Sequence, residues 1–142
     1  MCGIVGEIGP AACNRDQLLK MMGMLGHRGP DEAGVLIANG LAFGNLRLSI
    51  VDLQHGQQPM STADGRYWVT FNGEIFNHVE LRKELEDAGH VFQTRSDTEV
   101  LLNGFREWGT GCLERFNGQW SFALWDRKTG DAFLARDRFG VR

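Results

Sequence analysis

The sequence predicts an α+β fold, with helices packed on antiparallel sheets. Three observations carry that prediction. β-branched, aromatic and alternating stretches dominate both ends of the chain, and segments of helical period, opened by capping residues and closed by glycine, lie between them. The chain is 142 residues long, which fits one domain able to bury roughly 68–70% of its unfolded surface. Its 19 glycines against 3 prolines point to tight turns and close backbone approaches rather than a linker.

The elements follow in order. Ile4 to Ile8 reads as a short strand. Asn14 caps a helix running to about Leu25, with Leu18, Leu19, Met21, Met22 and Leu25 on its apolar face and Gly26 as its stop. Val35–Ile37 and Leu41–Phe43 form strands around the turn Asn39-Gly40. Leu46 to Leu53 is a further β-rich stretch, followed by a polar loop from Gln54 to Gln58. Tyr67–Phe71 is the clearest strand, β-branched and aromatic. Asn77 starts a helix, with Glu80 as capping-box partner and Gly89 at its end; Ser96 starts another, with Glu99 as partner, Val100, Leu101, Phe105 and Trp108 on its apolar side and Gly109 as stop. Trp120–Trp125 and Ala132–Arg136 make a hairpin joined by Asp126-Arg127-Lys128-Thr129-Gly130.

Composition narrows the function. Hydrophobic residues make up 42% and charged residues 23%, an ordinary globular balance. The net charge of −3 implies no basic face, so nucleic acid is not an expected partner. No apolar run approaches the ~20 residues that cross a bilayer, and the start, MCGIVGEIGP, lacks the basic and apolar regions of a signal peptide. A cytoplasmic location is expected, with no membrane partner. Three widely spaced cysteines, Cys2, Cys13 and Cys112, argue for reduced thiols rather than a disulfide framework.

Cys2 is the first candidate for chemistry. As a small buried apolar residue it needs no function. Removal of Met1, however, makes it the N-terminus and puts a thiol and an α-amine on one residue. The reference pKa of such an amine is about 7.7–8.0 and of a thiol about 8.5, so the amine serves as a built-in general base. Gly3 and Gly6 beside it allow close approach of substrate. Asn72-Gly73 reads either as a type I′ hairpin turn or as an oxyanion hole made of the Asn72 amide and the Gly73 N–H. Arg47, among apolar neighbours, is either an outward strand residue or a bidentate clamp on a carboxylate. Asp97 starts a helix and either favours its dipole or, with Glu74, holds an ammonium group. Together these groups suit a zwitterionic amino acid with a reactive side-chain carbonyl.

The histidines, His27, His55, His78 and His90, show no metal-ligand spacing, and no nucleotide-binding glycine motif is present. No metal site is expected. His27 lies in the compact turn His27-Arg28-Gly29-Pro30-Asp31, for which a structural role is at least as good a reading as a catalytic one. Cys13 and Cys112 read as structural.

In combination, the segments Met1-Cys2-Gly3-Ile4-Val5-Gly6, His27-Arg28-Gly29-Pro30-Asp31, Arg47-Leu48-Ser49-Ile50-Val51-Asp52, Asn72-Gly73-Glu74-Ile75-Phe76-Asn77, Ser96-Asp97-Thr98-Glu99-Val100, Phe122-Ala123-Leu124-Trp125-Asp126 and Ala135-Arg136-Asp137-Arg138-Phe139-Gly140 resemble the class II glutamine amidotransferase domain. The resemblance is to the branch found in glutamine-hydrolysing asparagine synthetases. Each segment is weak alone; the ordered set is specific and covers nearly the whole chain. The sister branch that makes glucosamine phosphate carries a His-Thr-Arg-Trp segment, which this chain replaces with Arg47-Leu48-Ser49.

The resemblance implies a four-layer αββα sandwich of the N-terminal-nucleophile hydrolase type. It implies Cys2 as nucleophile with its freed amine as base, and Asn72 and Gly73 as the oxyanion hole. It places Arg47 on the glutamine α-carboxylate, with Glu74 and Asp97 around the α-amine. Residues 1–142 would then be a truncated glutaminase domain, incomplete in its last strands, with the synthetase domain absent. ATP and Mg are expected only of that absent half, no cofactor in this chain, and a homodimer is expected for the full-length protein. The expected function is hydrolysis of L-glutamine to supply ammonia to an ATP-dependent amidation. A related amidotransferase with another acceptor, or an inactive glutamine-binding module, are the alternatives.

Overall fold

The computed structural model describes residues 2–9, 14–38, 40–49, 52 and 55–142. Two antiparallel sheets face each other and helices cover their outer faces. The first sheet has the order β1-β3-β2, with β1 Gly3–Ile8, β2 Glu32–Ala38 and β3 Leu41–Arg47. The second has the order β4-β5-β6-β7, with β4 Met60–Ser61, β5 Tyr67–Ile75, β6 Gly118–Asp126 and β7 Ala132–Arg136. Helix α1, Arg15–Gly23, lies on the first sheet, and α2, His78–Asp87, and α3, Asp97–Trp108, lie on the second. This is the four-layer αββα arrangement expected.

Strand alternation assigns the layers. Ala42 and Leu46 of β3 point to α1 and pack with Leu18 and Met22, one helical turn apart. Leu41 and Phe43 point the other way, into the layer between the sheets, against Trp68 and Trp125. Val69, Phe71 and Ile75 of β5, with Trp120, Phe122 and Leu124 of β6, face α2 and α3 and form the largest core cluster with Leu81, Leu85, Val100 and Leu101. The side chains of positions 45 and 47 of β3 and 70 and 72 of β5 therefore enter the inter-sheet layer at one end. There Asn45, Arg47, Thr70 and Asn72 are all buried.

Several expectations are corrected. Of the two readings of Asn72-Gly73, the hairpin turn is excluded: β5 runs unbroken through both residues, paired Asn72↔Ser121 and Gly73↔Trp120 with β6. Of the β-rich stretch Leu46 to Leu53, Leu46 and Arg47 end β3, paired with Gly3 of β1 and Glu32 of β2, and Leu48, Ser49 and Asp52 belong to no strand; Ile50, Val51 and Leu53 lie outside the described residues, as do Asn39 of the expected turn, Gln54 of the expected loop and Cys13. Asn77 makes no side-chain cap; its amide instead donates to the Arg115 carbonyl and accepts from the Asn117 N–H. Ser96 does cap α3, accepting from Thr98 N–H at 3.1 Å. Its expected box partner Glu99 turns to the preceding loop, where its carboxylate accepts the Gln93 and Thr94 N–H groups at 2.8 and 2.7 Å. The two-residue β4 and the short helix Cys112–Arg115, α4, were not anticipated.

Candidate active site

The end of the inter-sheet layer where the buried side chains turn polar opens into a cavity. Cys2, Arg47, Asn72, Gly73, Glu74 and Asp97 all line it, together with Leu48, Gly56, Gln58, Phe71, Ser96, Thr98 and Arg142. The six residues singled out from the sequence thus converge from four separate parts of the chain.

Cys2 directly precedes β1, and the pairing Gly3↔Leu46 brings it to the level of Arg47 on the neighbouring strand. Its carbonyl accepts from Arg28 Nε at 3.1 Å, and its thiol lies 3.8 Å from the Leu48 carbonyl oxygen. The turn His27 to Asp31 therefore anchors the nucleophile candidate rather than joining it. Arg28 grips Cys2, the Asp31 N–H donates to the Arg47 carbonyl at 3.1 Å, and the Asp31 carboxylate accepts from the Ser49 N–H at 2.8 Å. His27 itself is exposed and does not line the cavity. Gly3 and Gly6 do not line it either; they let β1 pack, Gly3 against Leu25 and Gly6 against the Phe43 ring.

Arg47 is only 5% exposed, so its charge must be partnered. Nη1 donates to Glu32 Oε2 at 2.9 Å and Nη2 to the Asp52 carbonyl at 2.6 Å. Gly56 packs so close to this fork that a Cβ there would sit 2.3 Å from Nη2. Asp52 holds φ at +46°, a left-handed conformation that Asp tolerates better than most residues. Its carboxylate accepts from the N–H groups of Arg95 and His55 at 2.8 and 3.2 Å, and the Arg95 bond foremost holds its pKa below the usual carboxylate value. Asp52 thereby ties the guanidinium to the segment leading into α3.

The β5 edge supplies the opposite wall. β6 cannot receive the Gly73 N–H, because Trp120 turns its own backbone groups to Asp137: its N–H donates to the Asp137 carboxylate and its carbonyl accepts the Asp137 N–H. The N–H groups of Phe71, Gly73 and Ile75 consequently leave β5 on the side away from β6. Phe71 N–H is taken by Gln58 Oε1 at 2.6 Å and Ile75 N–H by Asp97 Oδ2 at 3.1 Å. Between these two, the Gly73 N–H points to the cavity edge. Only glycine fits there: φ is +153°, and a Cβ would lie 2.1 Å from the Gln119 carbonyl oxygen. Asn72, beside it, is 7% exposed, and its Oδ1 has no hydrogen-bond partner among the described residues.

Asp97 is the first residue of α3 and is 4% exposed. Burial pushes its carboxyl above the ordinary value, against the lowering effect of the Ile75 N–H and of His78, while the charge of exposed Glu74 pushes it further up. A cation placed beside it would relieve this cost. By contrast Cys112 lies wholly in the core under α3 and α4, where burial raises its thiol to about 12, so it stays protonated and inert. The residues that sequence reasoning did not single out for a role at the site are Arg28, Asp31, Glu32, Asp52 and Gln58. The His27–Asp31 motif and the polar loop ending at Gln58 were visible as segments, but their partners lie in other strands.

Comparison with known proteins bears on the family and the fold. The family model described as a glutamine amidotransferase domain matches residues 1–142. The chain is 44% identical to glutamine-hydrolysing asparagine synthetase 1 of Bacillus subtilis (strain 168), covering 100% of this chain and 23% of that protein. It is 37% identical to glutamine-hydrolysing asparagine synthetase 1 of Arabidopsis thaliana, covering 99% of this chain and 24% of that protein. The chain thus spans about a quarter of the length of these relatives. A glutamine phosphoribosylpyrophosphate amidotransferase from B. subtilis, solved with ADP and GMP, superposes with a TM-score of 0.75 over 99% of this chain and 38% of that one, at 21% identity. At that identity the likeness is one of fold.

Proposed function

The chain belongs to the glutamine amidotransferase domain family, and from that premise we propose that its cavity hydrolyses the side-chain amide of L-glutamine through a thioester on Cys2. The convergence of Cys2, Arg47, Asn72, Gly73 and Asp97 on one cavity is the observation that carries the reading. It provides a nucleophile, two oxyanion donors and charges of both signs for the two ends of an amino acid.

In this mechanism Met1 is removed and the Cys2 α-amine takes the thiol proton. The sulfur attacks the glutamine side-chain carbonyl carbon, and the oxygen becomes an oxyanion facing the Gly73 N–H and the Asn72 amide. The amine returns its proton to the leaving nitrogen, the C–N bond breaks, and ammonia departs. Water, deprotonated by the same amine, attacks the thioester; the C–S bond breaks, releasing glutamate and the thiol. Arg47, oriented by Glu32 and Asp52, suits the α-carboxylate, and Asp97 with Glu74 suits the α-ammonium.

The fate of the ammonia lies with the remainder of a longer protein. The identity to asparagine synthetases supports, as the consumer, an ATP- and Mg-dependent synthetase domain on the same chain with aspartate as acceptor, in a cytoplasmic enzyme in keeping with reduced thiols. No described helix is long and apolar enough to cross a membrane. The test is intact mass together with a glutaminase assay. The mature protein is expected to begin at Cys2, and Cys2→Ala to abolish turnover while glutamine still binds. Full activity with Met1 retained, or in Cys2→Ala, would falsify the mechanism.

A further inference from the structure

Gln58 lies at the back of the cavity and has no part in the chemistry described above. It precedes the two-residue β4, which pairs with β5 only through Met60↔Val69 and Ser61↔Trp68. One pair further on, the backbone ladder meets Pro59, which has no N–H to give. The Gln58 side chain takes over at this point. Its Oε1 accepts the Phe71 N–H at 2.6 Å and the Asn45 Nδ2–H at 3.1 Å, and its Nε2 donates to Thr98 Oγ1 at 3.4 Å. Asn45 Nδ2 also faces Thr70 Oγ1 and the Phe71 carbonyl, at 3.2 and 3.4 Å. One amide thus ties together β3, the residue before Asn72, and the residue after Asp97.

The geometry points to Gln58 as a positioning residue that sets the oxyanion donors of β5 against the substrate-holding start of α3. This rests on the glutaminase reading above. The β5 edge is pinned on either side of Gly73, by Gln58 at Phe71 and by Asp97 at Ile75. With both pins in place, the Gly73 N–H keeps its aim. Without Gln58 the Phe71 N–H loses its acceptor in a buried setting, and the edge turns to find another. Oxyanion donors act only when about 2.7–3.1 Å from the oxyanion, and a misplacement of about 1 Å costs on the order of 10²-fold in rate. Arg47 and Asp97, which suit the ground-state amino acid, are held by Glu32, Asp52 and Ile75. Loss of Gln58 should therefore act on kcat and much less on KM.

The experiment measures glutaminase kinetics of the full chain carrying Gln58→Met or Gln58→Glu, each beside its melting curve. It adds inhibition by the γ-aldehyde analogue of glutamine. That aldehyde adds the Cys2 thiol across its carbonyl, forming the S–C bond while the oxygen takes up the proton, so its affinity reads the oxyanion site directly. Gln58→Met, close in volume, should lower kcat by an order of magnitude or more, as expected of misaimed donors, weaken the aldehyde in parallel and leave KM nearly unchanged. Gln58→Glu keeps an acceptor for Phe71 and should recover most of kcat. If Gln58→Met does not fold, Thr98→Val, which cuts only the Nε2 link, carries the same expectation in weaker form. Unchanged kcat and aldehyde affinity with only a lower melting temperature, or a rise in KM alone, overturns the inference and leaves Gln58 a filler of the core. A wild-type chain without Cys2-dependent glutaminase activity overturns the functional reading itself.

Discussion

Gly73→Ala would displace the N–H that the proposed mechanism sets against the oxyanion. The added Cβ would lie 2.1 Å from the Gln119 carbonyl oxygen and 2.6 Å from Trp120 Cα, both backbone atoms of β6 that no side-chain rotation can remove. Real Cβ contacts essentially never fall below 3.0 Å, so β5 must part from β6 locally by about 1 Å, and alanine at φ +153° is strained besides. The Gly73 N–H moves with its strand. A shift of about 1 Å at a reacting centre costs on the order of 10²-fold, comparable with losing an oxyanion donor outright, about 10²–10³. Gly73→Ala is therefore expected to lower kcat for glutamine about 10²-fold or more while KM changes little. Steady-state ammonia release on the full chain, with the melting temperature recorded beside it, is the assay. A folded variant that retains near wild-type kcat refutes the placement of the Gly73 N–H at the oxyanion.

Further predictions concern Asn72, Arg47 and Asp97. Asn72→Ala should lower kcat by about 10²–10³ with a modest effect on KM, whereas Arg47→Ala should raise KM strongly and Arg47→Lys rescue only part, since Lys lacks the fork that meets Glu32 and Asp52; the reverse pattern in steady-state kinetics sinks both roles. Because burial holds the Asp97 carboxyl above its ordinary 3.8, the folded state binds that proton more tightly than the unfolded chain, so stability falls as pH rises from 3.8 through the folded value. Asp97→Asn removes this loss: it should melt higher than wild type at neutral pH, the gap closing in acid, while KM for glutamine rises, and a variant that melts lower at neutral pH than in acid relative to wild type contradicts the burial argument.

The helices and strands were legible because their signals are local, whereas the four-layer stacking came only with the family resemblance. Leu18 with Met22 and Leu81 with Leu85 stand one helical turn apart, and each pair is buried as that spacing requires. Asn72-Gly73 stayed open between a turn and an oxyanion hole because the dipeptide chemistry is identical in both settings. What overrides it is β6, which runs the full length of β5 and lies more than forty residues away. The two expected capping boxes failed for a similar reason. Asn77 and Glu99 each satisfy backbone groups outside their own helix, of Arg115 and Asn117 in one case and of Gln93 and Thr94 in the other, that a view of that helix alone does not contain. Residue type sufficed to nominate Cys2, Arg47, Asn72, Gly73, Glu74 and Asp97. The supports Arg28, Glu32, Asp52 and Gln58 depend on register and loop geometry, which no spacing in the sequence expresses.

The position of the cavity follows from a change of character along two strands. Between the sheets, β3 presents Leu41 and Phe43 and then Asn45 and Arg47, while β5 presents Trp68 and then Thr70 and Asn72. The apolar ends meet and exclude water. The polar ends cannot close in the same way, because buried amides and charges need partners that an apolar wall does not offer. Part of that need is met internally, by Glu32 and Asp52 for Arg47 and by Gln58 for the Phe71 N–H. Part is left over: Asn45 Oδ1 and Asn72 Oδ1 lack partners among the described residues, and Asp97 is buried with its charge opposed by its surroundings. Such leftovers weaken the fold, and they gather at the one end where Cys2 enters. A ligand carrying an ammonium group offsets the Asp97 cost on binding, so the folding penalty borne by the empty site becomes affinity for an amino acid in the filled one.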